Sequence, residues 1–314
     1  MENRWSALKL LITGASGLYG SKLAALALAR NFEVYSCYVQ ELPVCGNFVK
    51  FDVSNRELVD EAFKRVKPDV VVHAASVTDV DKCELNKELA WKINVDGTKN
   101  IVEAAKRIGS FVIYISTDYV FNGKKGNYKE SDKPAPINYY GLTKLKSEEL
   151  VKAQAEYFIG RPSVIYGSTP AAGKVNFALW LIDALRKGER VKIVTDQWNT
   201  PTLNTNLAEM TLEVIERRIT GTFHFCGASR VSRFELDAPL TVGHALEIIG
   251  GPRLRFGRVP LPVVVAVKDP ESLDRPASHS ADVVLSRQQR FQEESAAIRI
   301  GHHQIGAHEK RLPR

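Results

Sequence analysis

Short apolar runs alternate with amphipathic stretches along the first half of the chain. Continuous apolar runs are typical of strands buried on both faces of a parallel sheet, since helices cover both faces. The predicted strands are 8–13, 34–39, 48–51, 69–73 and 111–115, and the predicted helices are 21–30, 55–65, 91–108 and one that begins near 140. This alternation predicts an α/β fold with a doubly wound, Rossmann-like parallel sheet.

The first predicted strand runs into a glycine-rich turn, Thr13–Gly20, and then into a helix. In that context Gly14 allows the tight turn, Gly17 lets the backbone approach a pyrophosphate, and Gly20 lets helix and strand pack closely. The spacing G-x-x-G-x-x-G departs from the commoner G-x-G-x-x-G, so the order strand, turn, helix is the stronger indication. The predicted cofactor contacts in this turn are Gly14, Ser16, Gly17, Leu18, Tyr19 and Gly20.

The carboxyl ends of the following strands are expected to complete the dinucleotide site. Asp52 could accept a hydrogen bond from an adenine amino group or cap the next helix, and the sequence leaves both open. Small residues after the fourth strand would let a flat cofactor lie against the backbone. The predicted cofactor contacts of these segments are Asp52, Val53, Ala74, Ala75, Ser76 and Asn94.

The end of the second strand bears on which dinucleotide is bound. It reads Cys37-Tyr-Val-Gln40, without the Asp or Glu that binds the ribose 2′-hydroxyl in NAD sites. Glu41 follows one residue late and is interpreted as a loop charge. Because no well-placed carboxylate repels a 2′-phosphate, we expect NADP to be preferred over NAD.

Tyr140 and Lys144 are the candidate catalytic pair. They stand at i and i+4 in a stretch with few helix breakers, so they share one helix face. An ammonium beside a phenol favours the phenolate, and we expect it to lower the tyrosine pKa toward neutrality. The spacing alone is common by chance, and the upstream glycine turn gives it weight.

Taken in order, these motifs resemble the extended short-chain dehydrogenase/reductase family over residues 8 to about 236. Within that family the chain looks similar to the dTDP-4-dehydrorhamnose reductases and their relatives. The stretches that carry this likeness are 74–84, 116–123, 140–145, 196–202 and 221–225.

The resemblance implies that NAD(P)H gives a hydride to the C4 carbonyl of a nucleotide-linked deoxysugar. It implies that Tyr140 is the general acid, that Tyr140 and Lys144 both contact the cofactor, and that Lys144 activates the tyrosine and holds the nicotinamide ribose. It also implies that the Thr117 hydroxyl hydrogen-bonds the carbonyl oxygen. The substrate-binding residues that it implies are Asp118, Thr78 and Tyr119.

Two other activities remain open within the same resemblance. Related dehydratases have Thr-Asp-Glu where this chain has Thr-Asp-Tyr119, so the elimination of water would lack a carboxylate. A nucleotide-sugar epimerase stays possible, and so does a cofactor-binding regulatory protein like the β subunit of methionine adenosyltransferase. Val164 stands where these reductases commonly have a tryptophan, which leaves the sugar unidentified.

Composition and charge limit the classes of molecule that the protein is expected to bind. The chain has 314 residues, 44% of them hydrophobic and 25% charged, and a net charge of +7, all ordinary for a soluble globular protein. It shows no nucleic-acid motif, and its apolar runs are too short to span a bilayer. Four scattered cysteines argue against a metal site and fit a reducing cytosol, so we expect a cytoplasmic protein. We also expect it to form a homodimer.

The predicted domains are a dinucleotide-binding domain over 1–165, a smaller substrate-binding lobe over 166–236, and an atypical segment over 237–314. Proline in Asp237-Ala-Pro-Leu240 interrupts the helix expected there. The last segment is rich in Pro, Arg and His, and its histidines are interpreted as part of a loosely ordered tail rather than a metal site. These histidines include His302, His303 and His308.

Overall fold

The computed structural model describes residues 8–168, 175–189, 191–194, 196–235 and 264–267. The helices are α1 Gly20–Ala29, α2 Arg56–Val66, α3 Val80–Leu85, α4 Lys87–Trp91, α5 Gly97–Ile108, α6 Tyr139–Lys152, α7 Phe177–Arg186 and α8 Asn204–Arg217. The strands are β1 Lys9–Thr13, β2 Glu33–Tyr38, β3 Asn47–Lys50, β4 Val70–His73, β5 Phe111–Ile115, β6 Tyr157–Arg161, β7 Ser163–Tyr166, β8 Val191–Val194, β9 Trp198–Asn199, β10 Pro201–Leu203, β11 Gly221–His224, β12 Val231–Ser232 and β13 Val264–Val267.

A seven-stranded sheet with the order β11-β6-β5-β4-β1-β2-β3 forms the centre of the molecule. All of its strand pairs are parallel. Every residue of β4 and β5 is buried, as expected for strands covered on both faces. The predicted Rossmann-like fold is confirmed. Because the strand order reverses between β1 and β4, their carboxyl ends open a crevice in which ligands bind in such sheets.

Two apolar layers cover the sheet. On one face, Leu23 of α1 and Leu212 of α8 pack in one cluster with β1 and β5 residues. On the other face, Phe63 of α2 and Ile101 of α5 pack in a second cluster. These side chains are almost fully buried, so each contributes about 1.5–3 kcal/mol of hydrophobic stabilisation.

The chain returns to the main sheet after residue 203. Strand β11 adds to the sheet edge beside β6, and α8 packs on the same face as α1. Residues 204–225 thus belong to the sheet and its core, although the sequence placed them in a separate lobe. The sequence did not indicate that residues 221–224 join the main sheet, because β11 pairs with a strand about 60 residues earlier, as in Thr222 with Ile159.

Two local predictions change. The side chain of Asn55 caps α2 by accepting from Leu58 N at 3.0 Å, whereas Asp52 accepts from Ser54 N at 2.8 Å in the preceding turn. The alternative that Asp52 caps this helix is therefore wrong. The single helix predicted over 91–108 is divided, because a π-helical turn, Lys92–Asp96, separates α4 from α5.

The last strand among the described residues, β13, pairs in parallel with β8. The three C-terminal histidines and the remainder of 236–314 lie outside the described residues. In the described part of the chain, none of the helices has the length and apolar character needed to cross a membrane.

Candidate active site

A cleft of about 1180 Å³ runs along the carboxyl ends of the parallel strands. It joins the glycine turn after β1 to the residues after β5 and to the first turns of α6. Nearly all the predicted site residues line it: Gly14, Ser16, Gly17, Leu18, Tyr19, Gly20, Asp52, Val53, Ala74, Ala75, Ser76, Thr78, Thr117, Asp118, Tyr119, Tyr140 and Lys144. One predicted cofactor residue, Asn94, is not among the lining residues.

The glycine turn is a backbone cradle with no room for side chains. Gly14 has φ +70°, and a Cβ there would lie 2.9 Å from the Ala75 nitrogen. A Cβ on Gly20 would overlap the Gly14 carbonyl oxygen at the start of α1. Main-chain atoms can therefore come close to a ligand at the helix N-terminus, which suits the pyrophosphate of a dinucleotide.

A buried histidine links the ends of β1 and β4. The Thr13 oxygen accepts from the Ala74 and Ala75 nitrogens at 3.1 and 3.2 Å, so its hydroxyl hydrogen is free to donate to His73 Nδ1 at 2.7 Å. The His73 Nε2 atom contacts the Thr98 hydroxyl at 3.0 Å. Burial, with the nearby Lys144 charge, lowers the His73 pKa to about 3, so the ring is neutral at physiological pH. The backbone beside the cleft is thereby fixed.

Asn94 has a positioning role. Its side-chain oxygen accepts from Ser76 Oγ at 2.9 Å and from Val77 N at 2.8 Å. Its amide donates to Val77 O at 3.1 Å and to Thr143 Oγ1 at 3.0 Å. The side chain is held by these hydrogen bonds within the protein, and its contact with the cofactor stays a prediction. Asn94 ties the loop after β4 to α6.

Tyr19 lines the cleft, but its hydroxyl is bound by α8. Its hydroxyl pairs with Thr211 Oγ1 of α8 at 2.7 Å, and the residue is 5% exposed. The ring therefore packs in the core between α1 and α8. Any cofactor contact of Tyr19 would have to come from its main chain.

The candidate general acid, Tyr140, lies in the first turn of α6. Asn138 caps that helix by accepting from Gly141 N at 2.8 Å. Burial raises the pKa of the Tyr140 phenol, and the Thr117 hydroxyl opposes this by hydrogen bonding. Because the net direction is upward, the expected lowering by Lys144 is not found.

Lys144 is directed at the main chain. Its ammonium donates to the Ile115 carbonyl oxygen at 2.7 Å and lies 4.2 Å from the centre of the Tyr114 ring. Burial lowers the Lys144 pKa to about 7, although Glu148 acts to raise it. Tyr140 and Lys144 both lie in α6, one helical turn apart, as their spacing predicted. The Lys144 ammonium, however, binds the main chain at the carboxyl end of β5.

Thr117 and Asp118 form a hydrogen-bonded unit under the tyrosine. Thr117 Oγ1 donates to Asp118 Oδ1 at 3.0 Å, and Ser163 Oγ donates to Asp118 Oδ2 at 2.7 Å. Burial raises the Asp118 pKa despite these two bonds. Tyr119 packs edge-on against Tyr140, with ring centres 5.9 Å apart. The phenol, the threonine hydroxyl and the carboxyl thus share one end of the cleft.

A buried ion pair between Glu148 and Arg161 lies next to the Thr117–Asp118 segment. Glu148 accepts from Arg161 Nε at 2.8 Å, from Arg161 Nη2 at 2.7 Å and from Ser116 Oγ at 2.7 Å. The two charged side chains are 0% and 1% exposed. Ser116 precedes Thr117, so the pair anchors the loop after β5 to α6 and β6. Sequence reasoning missed it, although Glu148 follows Lys144 by one helical turn.

Another wall of the cleft comes from β7 and the segments that follow it, where only Val164 was singled out from the sequence. Val164 lines the wall at φ +36°, a rare conformation for a β-branched residue. Phe177, Trp180 and Arg233 line the same wall. Nothing in their local sequence pointed to a site, since they are brought together by the fold.

A comparison with protein families finds that the model described as "RmlD substrate binding domain" matches residues 8–284. The chain belongs to this family. The match runs beyond residue 236, where sequence reasoning had found no further family pattern.

Individual relatives agree with this assignment. The dTDP-4-dehydrorhamnose reductase of Escherichia coli is 35% identical over 230 residues, 69% of this chain and 72% of that protein. The methionine adenosyltransferase 2 subunit beta of Bos taurus is 30% identical over 237 residues, 73% of this chain and 70% of that protein.

Among solved structures, the dTDP-4-dehydrorhamnose reductase of Bacillus anthracis in complex with NADP superposes with a TM-score of 0.74. It is 28% identical and the match covers 90% of this chain and 93% of that one. In the present protein, the described residues include no cluster of three or more His, Cys, Asp or Glu side chains able to hold a metal.

Proposed function

We propose that the protein is an NAD(P)H-dependent reductase of a 4-keto nucleotide sugar, with dTDP-4-dehydrorhamnose as its substrate. The observation that carries the proposal is the meeting of Tyr140, Thr117 and Asp118 in one cleft with the glycine cradle. The family membership and the dTDP-4-dehydrorhamnose reductase relatives support it.

The cofactor, when bound, supplies the hydride. Backbone atoms around Gly14 and Gly17 would hold its pyrophosphate, and Ala74 and Ala75 offer a flat surface beside it. The glycine cradle fits this group, because Gly14, whose Cβ would collide with the Ala75 nitrogen, keeps the turn tight and its main chain bare.

Tyr140 donates the proton that the reduced carbonyl oxygen needs. Its pKa is raised by burial, so it holds this proton at neutral pH. Thr117 can turn its hydroxyl from Asp118 toward the substrate oxygen and stabilise the charge that develops there. Lys144 lies beside the same strand end, where its protonated form supplies a positive charge and donates to the Ile115 carbonyl.

The test is reduction of dTDP-4-dehydrorhamnose, followed by loss of NADPH absorbance. Tyr140→Phe should lower kcat by ~100- to 10,000-fold, since general acid catalysis is lost. Its NADPH affinity should stay close to that of the wild type, which excludes a folding defect. Turnover at the wild-type rate by Tyr140→Phe would refute the assigned role.

We infer that NADP is preferred over NAD. The support is the neutral Gln40 on the cleft wall and the NADP in the Bacillus anthracis relative. Glu41 also lines the cleft, so its carboxylate could oppose a 2′-phosphate. Affinities for NADPH and NADH in the wild type and Glu41→Gln test this; tighter NADH binding by the wild type would contradict it.

A regulatory role is the second candidate, favoured by the likeness to the bovine adenosyltransferase β subunit. It predicts NADP binding without reduction of any nucleotide sugar, together with a stable complex with a partner enzyme. Absence of turnover in both the wild type and Tyr140→Phe, with cofactor binding intact, would favour it over the reductase.

A cytoplasmic location and a homodimeric state remain predictions. Cell fractionation tests the first, and light scattering on the purified chain tests the second.

A further inference from the structure

Arg233 is an arginine in the cleft without an acidic partner in the described part of the chain. It lines the same cleft as Tyr140. Its Nε donates to the Gln197 side-chain oxygen, and its guanidinium carbon lies 4.8 Å from the centre of the Phe177 ring. These contacts hold the guanidinium plane, and no carboxylate of the described residues forms an ion pair with it, an arrangement that suits phosphate recognition.

The surroundings of Arg233 match the rest of a nucleotide. Trp180 lies one helical turn after Phe177, with ring centres 5.7 Å apart, and lines the same cleft. It is 45% exposed, so the wall presents a large aromatic surface beside a cation. Aromatic rings of this kind can pack against a nucleobase or a sugar ring.

The position of Arg233 separates it from the cofactor cradle. Gly14 and Gly17 are at the end of β1, whereas Arg233 follows β12, a strand of the small β9–β12 pair. Its charge acts on Tyr119, which packs against Tyr140, so the arginine is near the reaction end of the cleft. An anion at Arg233 would thus belong to the substrate.

We propose that Arg233, with Phe177 and Trp180 beside it, binds the diphosphate of the nucleotide-sugar substrate. This inference rests on the proposed function and adds to it the residues that select a nucleoside diphosphate. A substrate without the diphosphate would leave the guanidinium unpaired and would bind weakly.

The experiment is calorimetric titration of the full chain, saturated with NADP⁺, with dTDP and with thymidine. Saturation fills the dinucleotide site, so any heat reports the second site. Arg233→Gln should weaken dTDP binding by ~10- to 100-fold, the loss expected for hydrogen bonds to a charged group. Thymidine binding should change little, and Arg233→Lys should fall between wild type and Arg233→Gln.

Arg230→Gln is the matched control. Arg230 lies three residues away over the Trp198 ring, 4.2 Å from its centre, and is outside the cleft lining. Arg230→Gln changes the net charge by the same amount as Arg233→Gln. Because Arg230 does not line the cleft, this variant should keep the wild-type affinity for dTDP. Equal losses in both variants would show a general charge effect and overturn the proposal.

Trp180 gives an independent readout. Binding of dTDP should change the tryptophan fluorescence of the wild type, and Trp180→Phe should abolish this change. Binding of dTDP with an unchanged affinity in Arg233→Gln would refute the inference while leaving the reductase proposal intact. No dTDP binding by the wild type, with normal NADP⁺ binding, would refute both.

Discussion

Removal of the Glu148 carboxylate should be among the most damaging single changes in this protein. Glu148→Gln keeps the size of the side chain but leaves the Arg161 charge, 1% exposed, without its counter-charge. Breaking one partner of a buried ion pair costs about 3–5 kcal/mol of the free energy of unfolding. Both hydrogen bonds from Arg161 reach this carboxylate, at 2.7 and 2.8 Å, so we expect a value in that range.

Urea unfolding of wild type and variants measures the loss. Glu149→Gln is the matched control, because Glu149 is 54% exposed and pairs with Lys146 on the surface. Such a surface pair contributes about 0–1 kcal/mol. The double variant Glu148→Gln/Arg161→Met should recover part of the loss, since no buried charge remains unpaired. Equal costs for Glu148→Gln and Glu149→Gln would refute the reasoning.

The pH dependence gives a second check on the same pair. Burial alone would raise the Glu148 pKa, but Arg161, Ser116 and Lys152 outweigh it and the net direction is downward. A carboxyl whose pKa is lower in the folded state stabilises the fold above its unfolded value, 4.5, and less as pH falls below it. The stability difference between wild type and Glu148→Gln should therefore shrink in acid.

Two further predictions concern the cofactor side of the cleft. Gly20→Ala should lower the free energy of unfolding by about 1–3 kcal/mol and weaken NADP binding, because the new Cβ overlaps the Gly14 carbonyl. Gly17→Ala, whose Cβ would lie 3.2 Å from the same oxygen, should lower the free energy of unfolding by less, as measured in urea. A larger loss for Gly17→Ala than for Gly20→Ala would contradict this explanation. His73, with a pKa lowered to about 3 from 6.5, should make the protein lose stability as pH falls below 6.5. The dependence should reach at most about 1.4 kcal/mol per pH unit and be absent in His73→Gln.

Local patterns predicted the fold of the first 165 residues and most of the cleft. The apolar runs predicted the parallel strands, and the glycine-rich sequence predicted the turn around Gly14. The spacing of Tyr140 and Lys144 predicted that they lie on one face of a helix. Each of these features is encoded by residues close together in the chain, so periodicity and turn chemistry were sufficient to find them.

Features that depend on distant pairs were not predictable in this way. The Asn94 amide donates to Thr143, 49 residues later, a contact that no local pattern indicates. Arg161 and Glu148 come together across a strand and a helix, and neither belongs to a local motif. Residues 204–217 look like an ordinary amphipathic helix, and nothing in them shows that α8 packs beside α1.

The pKa of Tyr140 shows why a spacing rule can place residues correctly and still misjudge their chemistry. Lys144 donates to the Ile115 carbonyl, so burial controls the phenol and raises its pKa above the ordinary value of about 10. A reductase needs a protonated donor, and a raised pKa provides one at neutral pH, whereas a phenolate would suit alcohol oxidation. The phenolate absorbance of wild type minus that of Tyr140→Phe should therefore stay near zero from neutral pH up to about 10. A phenolate signal near neutral pH would show that Lys144 lowers the pKa after all, as the spacing alone suggested.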